Sequence, residues 1–267
     1  MSLTTKLLCV ASLLLAGTTH AQKLPLTTNS DSALYYYYEG WRNVLDLGHF
    51  TNSEKAYRKM YQLDPDFLVG ASLLARITTE PVERLNLLEF LENKKPNLVN
   101  EERLLLDVFI ELIKLYSYRE NKLEEKTIKQ LEIAFDLAEN NLRIITDKYP
   151  DDTYYLAEYI EVLHHNYGAQ IALDSLAAKS TPKQTENAFL IGYRAQLQAE
   201  TGAYEEALQN ASKLEQTLID EAAPSVYVVY ANIYNLMGEK AKALESIDRA
   251  LDTDPGNLSA QRLKDAL

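Results

Sequence analysis

PSVYVVYANIYNLMGEKAKALESIDRALDTDP, residues 224–255, reads as two helices joined by a tight turn. Tyr227, Tyr230, Ala231 and Tyr234 recur at three- and four-residue spacing, which puts them on one helical face. Gly238 supplies the backbone freedom of a tight turn. Ala243, Leu244, Ile247, Ala250 and Leu251 form the matching face of the second helix. Pro224 suits a first helical turn, and Pro255 cannot continue the second helix. The alanines stand where two helices must approach closely, and the three tyrosines read as inter-helix core. Such a hairpin leaves one broad apolar face that a neighbouring hairpin must cover.

The same punctuation recurs upstream. Gly168, Gly202 and Gly238 each close one apolar-periodic segment and precede another, at intervals of 34 and 36 residues. Asp64-Pro65-Asp66, Tyr149-Pro150-Asp151 and Asp254-Pro255-Gly256 mark further helix ends. Thr181-Pro182-Lys183-Gln184 has the cap, the proline and the reaching Gln of a capping box. These marks give about six helical hairpins, at 31–63, 67–93, 101–148, 152–178, 185–218 and 224–253. A last helix, 258–266, carries Gln261, Lys264 and Asp265 on one side and reads as the polar cap that a stack of hairpins needs. The middle is less regular. Leu104, Leu105, Val108, Phe109, Leu112 and Leu115 make one helix apolar nearly all round, which implies burial between neighbours.

Residues 224–255 resemble the tetratricopeptide repeat. Counted from Pro224, the residues Ala231, Tyr234, Gly238, Ala243, Ala250 and Pro255 fall on that family's small, aromatic, glycine, alanine, alanine and proline positions. Counted from Ala188, the preceding unit matches at Ala195, Gly202 and Ala207 and departs at Leu214 and Ile219. Counted from Leu34, a third unit has Gly48, Ser53, Tyr57, Met60 and Pro65. There Trp41 replaces the usual small residue, which is expected to push the packing away from the family norm.

The chain is thus similar to an exported bacterial member of the family. The resemblance implies an all-α, right-handed superhelical solenoid of about six hairpins plus a C-terminal capping helix. It also implies a concave groove lined by the second, fifth, ninth and twelfth positions of each repeat. Those positions include Arg42, Glu158, His165, Gln196, Val228, Asn232 and Asn235. The set is mostly polar and uncharged. It lacks the lysine-rich pattern by which some relatives clamp a terminal carboxylate, because Val228 and Gly192 stand where a basic residue would be wanted. The implied partner is a protein or peptide segment, held by amide hydrogen bonds and aromatic contact, with little salt dependence.

The amino end reads differently. Lys6 precedes the apolar run LLCVASLLLAG, residues 7–17, and Thr19-His20-Ala21 provides small residues around a cut site. Residues 1–21 are therefore expected to be a signal peptide cut after Ala21, with 22–30 a flexible leader and 31–267 the repeat domain. The apolar run is short of the roughly 20 residues that span a bilayer. Cys9, the single cysteine, lies near the start of that run, where a lipid-attachment cysteine would not be. After cleavage no disulfide or thiolate metal site could form. The expected location is periplasmic or secreted. The formal charge of −12 repels phosphate backbones and anionic headgroups. Nucleic acid is therefore not an expected partner, nor is direct membrane insertion after cleavage.

Catalytic patterns are scarce. The chain has no glycine-rich phosphate loop, no His-Glu-x-x-His and no Gly-x-Ser-x-Gly. Glu161 and His164 match one Glu-x-x-His half-motif, but a di-iron bundle needs two such motifs and two further carboxylates. His164 and His165 diverge by about 100° on a helix and do not easily share a metal. No catalytic residue, metal or cofactor is expected, and the chain is not read as an enzyme. Tyr35 to Tyr38 point in all directions, so some are expected in the core and at least one exposed or in a groove. Arg119 to Glu132, RENKLEEKTIKQLE, reads as a solvated face. The expected function is an exported protein-protein interaction scaffold. The alternatives are a structural subunit of a cell-envelope complex and, last, an enzyme with an unrecognised site.

Overall fold

Alanine at the helix crossings sets the architecture. Ala195, Ala207, Ala231, Ala243 and Ala250 are all at 0% exposure, so each marks a close approach between helix backbones. The computed structural model describes residues 23–98 and 100–267. The expected signal peptide lies outside the described residues.

Helix α1 (Asp31–Trp41) runs into a π-helical turn (Arg42–Leu47) and then α2 (Phe50–Leu63). The next pairs are α3 (Leu68–Ile77) with α4 (Pro81–Lys94), and α5 (Asn100–Glu120) with α6 (Glu124–Lys148). Then come α7 (Thr153–Tyr167) with α8 (Ala169–Lys179), and α9 (Ala188–Glu200) with α10 (Tyr204–Thr217). The last pair, α11 (Pro224–Leu236) with α12 (Lys240–Thr253), is followed by α13 (Leu258–Ala266). Among the described residues these make six hairpins and a terminal helix, with no strand. Each hairpin packs on the next, and α13 packs on α12 and α11. The result is an all-α helical solenoid.

The hairpin turns repeat one device. Gly202 and Gly238 sit at φ +85° and +77°. The Ala203 N–H donates to Gln198 O at 2.9 Å and the Glu239 N–H to Tyr234 O at 2.8 Å. These are the long bonds that close a helix through a left-handed residue. Lys122, at φ +53°, does the same after α5, with the Leu123 N–H donating to Tyr118 O at 3.0 Å. A lysine gives no sequence signal for that turn.

Three expectations need correction. Tyr227, Tyr230 and Tyr234 are not inter-helix core; they are half-buried, and Val226, Val229, Ala231 and Ile233 fill that place. Their rings instead take cations, Lys242 over Tyr234 at 5.2 Å and Arg249 over Tyr227 at 5.5 Å. The expected capping box makes its reaching bond, Thr181 N–H to Gln184 Oε1 at 2.9 Å, but opens only a short 3-10 turn. Helix α9 is capped by Asn187, whose side chain accepts from the Leu190 N–H at 3.1 Å. Finally, residues 23–30 are not a free leader. Leu24 is buried and its N–H donates to Asp152 at 3.2 Å, while Thr28 Oγ1 donates to Asp64 at 2.6 Å. Three hairpins thus hold the segment, since Thr27 also bonds Glu102 of α5.

The solenoid curves until its ends meet. The π-helical turn of the first hairpin packs on α9 and α11, helices more than 140 residues away in sequence.

Candidate binding site

Trp41 immediately precedes the π-helical turn. Its indole is 2% exposed, stacks on Tyr154 at 5.6 Å and leans on Phe109 at 6.3 Å. After Trp41 the helix widens by one residue, the Gly48 N–H bonding Asn43 O, and the His49 N–H closes the end on the same oxygen at 2.7 Å. Such π-bulges re-aim the side chains beyond them.

Asp46 is the side chain re-aimed. Its carboxylate accepts from Asn187 Nδ2 at 2.9 Å, from the Phe189 N–H at 3.2 Å and from Tyr154 Oη at 3.0 Å. Burial pushes the carboxyl above its ordinary value, while these hydrogen bonds pull it back. Around Asp46 the first hairpin is fastened to the last. Ser225 Oγ donates to Asp46 O at 2.8 Å, and Asn257 Nδ2 donates to Gly48 O at 2.7 Å. Thr51 Oγ1 donates to Asp254 at 2.6 Å, and Arg42 pairs with Glu221 at 2.7 Å. Gly48 lies at φ +75°, and a Cβ there would stand 2.6 Å from Ser225 N.

The closed ends enclose space on the concave side. One cavity, of about 570 Å³, is walled by Phe189, Gly192 and Gln196 of α9 and by Ser225, Val228 and Asn232 of α11. Val44, Leu45 and Phe50 of the first hairpin form its opposite wall and also border a second cavity of about 460 Å³.

The expected groove residues divide accordingly. Gln196, Val228 and Asn232 come together in the first cavity. Glu158 borders the second, where its two oxygens take Arg76 Nη2 at 2.8 and 3.1 Å. Arg42 is at the edge of the closure, tied to Glu221 rather than facing a groove. His165 does not line either cavity; it packs on the Phe135 ring of α6 at 3.9 Å. Asn235 also lines neither. In α7 Glu158 and Glu161 border the cavities, while His165, four residues beyond Glu161, lies against α6 instead.

Sequence reasoning missed Glu161 as a cavity residue, and it borders both cavities. The half-motif partner His164 turns away, bonding Tyr193 and Glu200 at 2.7 Å each. Burial, then the neighbouring Glu158 carboxylate, push the Glu161 carboxyl from 4.5 up to about 8, against the opposing pull of Arg76. A carboxyl raised on folding stabilises in its neutral form. That contribution is complete below about pH 4.5 and is lost as the pH rises through about 8. Asp152, pushed up to about 6 mainly by burial, acts in the same direction at lower pH. Glu161→Gln is therefore expected to raise the melting temperature at pH 8.5 much more than at pH 4.5. Parallel pH profiles for variant and parent would contradict the assignment.

Of the tyrosine run, Tyr37 is core, 1% exposed, its hydroxyl 2.6 Å from that of Tyr155. Tyr35 is 59% exposed, and Tyr36 and Tyr38 are half-buried.

No family model matches the sequence, and no curated protein matches it. Among solved structures the chain is similar to one described as "TPR2AB-domain:pHSP90-complex of yeast Sti1". The identity is 16%, over 87% of this chain and 96% of that chain, with a TM-score of 0.34. So low a score adds nothing to what the helices themselves show.

Proposed function

We propose that the protein is an exported interaction scaffold of the tetratricopeptide type, taking a short protein segment between α9, α11 and the π-helical turn. One observation carries the reading. The second, fifth and ninth positions of two successive repeats, counted from Ala188 and Pro224, all face a single cavity of about 570 Å³. Such a register is what a repeat binding surface requires, and neighbouring repeats then present one continuous wall. The wall offers the amides of Gln196 and Asn232 beside Phe189 and Val228. It carries few charges, so affinity is modest and changes little with salt.

The envelope-subunit reading has its own support on the outer face. Val82 and Leu85 of α4 are 71% and 48% exposed, and Val82 shares a surface depression with Phe90 and Tyr61. The two readings separate on one experiment. A partner captured from envelope extract is purified and titrated against Gln196→Ala/Asn232→Ala, with Asn235→Ala as the control outside the cavity. The double variant, still helical by circular dichroism, is expected to bind about tenfold more weakly, as lost polar contacts of this kind imply. Asn235→Ala is expected to bind as the parent does. Undiminished binding by the folded double variant would move the interaction to the outer face of α4.

A further inference from the structure

His164 has two partners on α9. Its Nδ1 lies 2.7 Å from the Tyr193 hydroxyl, and its Nε2 lies 2.7 Å from Glu200 Oε2. A carboxylate only accepts, so Nε2 carries a hydrogen. In neutral His164 the other nitrogen is then bare, and Tyr193 donates its hydrogen to it. In protonated His164 both nitrogens donate, and the Tyr193 oxygen becomes the acceptor. The hydroxyl hydrogen is displaced and must turn to another partner. One proton on His164 thus changes Tyr193 from a donor already engaged into a donor that is free.

The relay has a solvent end and a cavity end. The side chains of His164 and Glu200 are 21% and 30% exposed, so protons exchange with water there. Tyr193 is half-buried, stacks on Phe189 at 5.4 Å and borders the first cavity with it. Burial, then the charges of Glu161 and Glu200, push its hydroxyl above the ordinary tyrosine value. It therefore keeps its hydrogen and always has one to place. Glu161 on α7 and Arg262 on α13 border the same cavity, and Glu158 pairs with Arg76. His165 is held below its ordinary value by burial, then by Arg119 of α5 and by His164. Helices α6 and α8 also pack on α7. From α6 come Glu139, bonded to Asn166 and Tyr167, and Asp136, beside Tyr167. From α8 comes Asp174, bonded to Gln170.

A free donor changes this wall, because three of its other donors are engaged. Ser225 Oγ already donates to Asp46 O, Asn232 Nδ2 to Val228 O and Asn257 Nδ2 to Gly48 O. All three residues border the cavity. A main-chain carbonyl brought in by a bound segment loses its water and needs a donor in return. We propose that Tyr193 reads a carbonyl oxygen of the protein segment in this cavity, and that protonation of His164 frees its hydroxyl to do so. The proposal rests on the segment-binding reading above. It adds that binding tightens as the pH falls through the range in which histidines change charge, roughly 8 to 5.

Two measurements test it. Without any partner, protein isotope-labelled in its tyrosine and histidine rings is followed by NMR from about pH 8 to about pH 5.5, the span of ordinary histidine titration. Tyr193→Phe assigns the Tyr193 signal. The Tyr193 Cζ shift is expected to move with the His164 ring shift on one midpoint. A His164 ring that takes up its proton while Tyr193 stays still would overturn the proposal, as would a ring that takes up none across the span. The second measurement uses the partner purified for the Gln196 and Asn232 titration. Affinity is expected to be about fivefold higher at about pH 5.5 than at about pH 8, the worth of one hydrogen bond. Tyr193→Phe, still helical by circular dichroism, should lose that gain. Glu200→Gln should move the midpoint to lower pH, because it removes the anion beside the imidazolium. The same pH dependence in the parent and in Tyr193→Phe would overturn the proposal, and so would an unmoved midpoint in Glu200→Gln. No binding by the parent at either pH would remove the segment reading and the carbonyl role together, even with the two ring shifts moving as one.

Discussion

Arg76→Met is expected to destabilise the fold by about 3–5 kcal/mol, the cost of leaving one partner of a buried ion pair alone. The Arg76 side chain is 16% exposed and that of Glu158 7%. The guanidinium also lies over the Phe109 ring at 4.6 Å, so it is held by packing as well as charge. Methionine replaces much of the stem but leaves Glu158 unpaired beside Glu161. Two comparisons isolate the cause. Arg76→Met with Glu158→Leu removes the orphaned charge and should recover most of the loss. Arg42→Ala breaks a pair whose side chains are 41% and 42% exposed and should cost under about 1 kcal/mol. Urea unfolding measures all three. A loss below about 1 kcal/mol for Arg76→Met, the level of a surface pair, would show that the pair is solvated and the second cavity open to water throughout.

Gly48→Ala is the second large effect. Gly48 and Gly202 share a left-handed backbone, φ +75° and +85°, so alanine strains both by about 1–2 kcal/mol. Only at Gly48 does the new methyl meet another element, with Ser225 N 2.6 Å away; at Gly202 nothing lies within 4 Å. Gly48→Ala should therefore cost about 2 kcal/mol more than Gly202→Ala, in the range of overpacking. It should also speed amide exchange at the start of α11. Equal costs at the two sites would mean that the first hairpin does not rest on α11.

The helices were legible in the sequence because each carries its own signals. Pro224, Gly238 and Pro255 bracket one hairpin, and the alanines mark its crossing. The spans 31–63, 67–93 and 152–178 match the helices to within a residue or two. The turn at Lys122 and the short turn at Gln184 escaped, since a lysine in left-handed conformation and a cap that opens only one turn leave no pattern. The site was legible in part. Counting from Ala188 and Pro224 brought Gln196, Val228 and Asn232 to one cavity, because the two hairpins keep the same spacing. It failed in α7, where Glu161 borders both cavities and His165 packs on the Phe135 ring of α6. Closure itself had no local signal. It joins Thr51 to Asp254 and Gly48 to Asn257, and it follows a helix widened just after Trp41. That tryptophan was recognised as a misfit, but the direction in which it would turn Asp46 could not be read from composition or spacing. Arg119 was set aside within a charged run and proves to border the second cavity.

Closure is what turns an open groove into two lined cavities, and a crosslink tests it directly. A Cβ at Gly256 would lie 3.8 Å from the Thr51 Cβ, the separation of a normal disulfide at about 3.5–4.5 Å. Thr51→Cys/Gly256→Cys, with Cys9→Ser to remove the single native thiol, is oxidised at low concentration and examined by mass spectrometry. The account predicts a monomeric, fully bridged chain. It also predicts greater resistance to denaturant, by about 5 kcal/mol if loop entropy alone acts over so long a loop. A protein that stays reduced under oxidising conditions, or that forms only chain-to-chain bridges, would contradict it: the first hairpin would then not lie against the last.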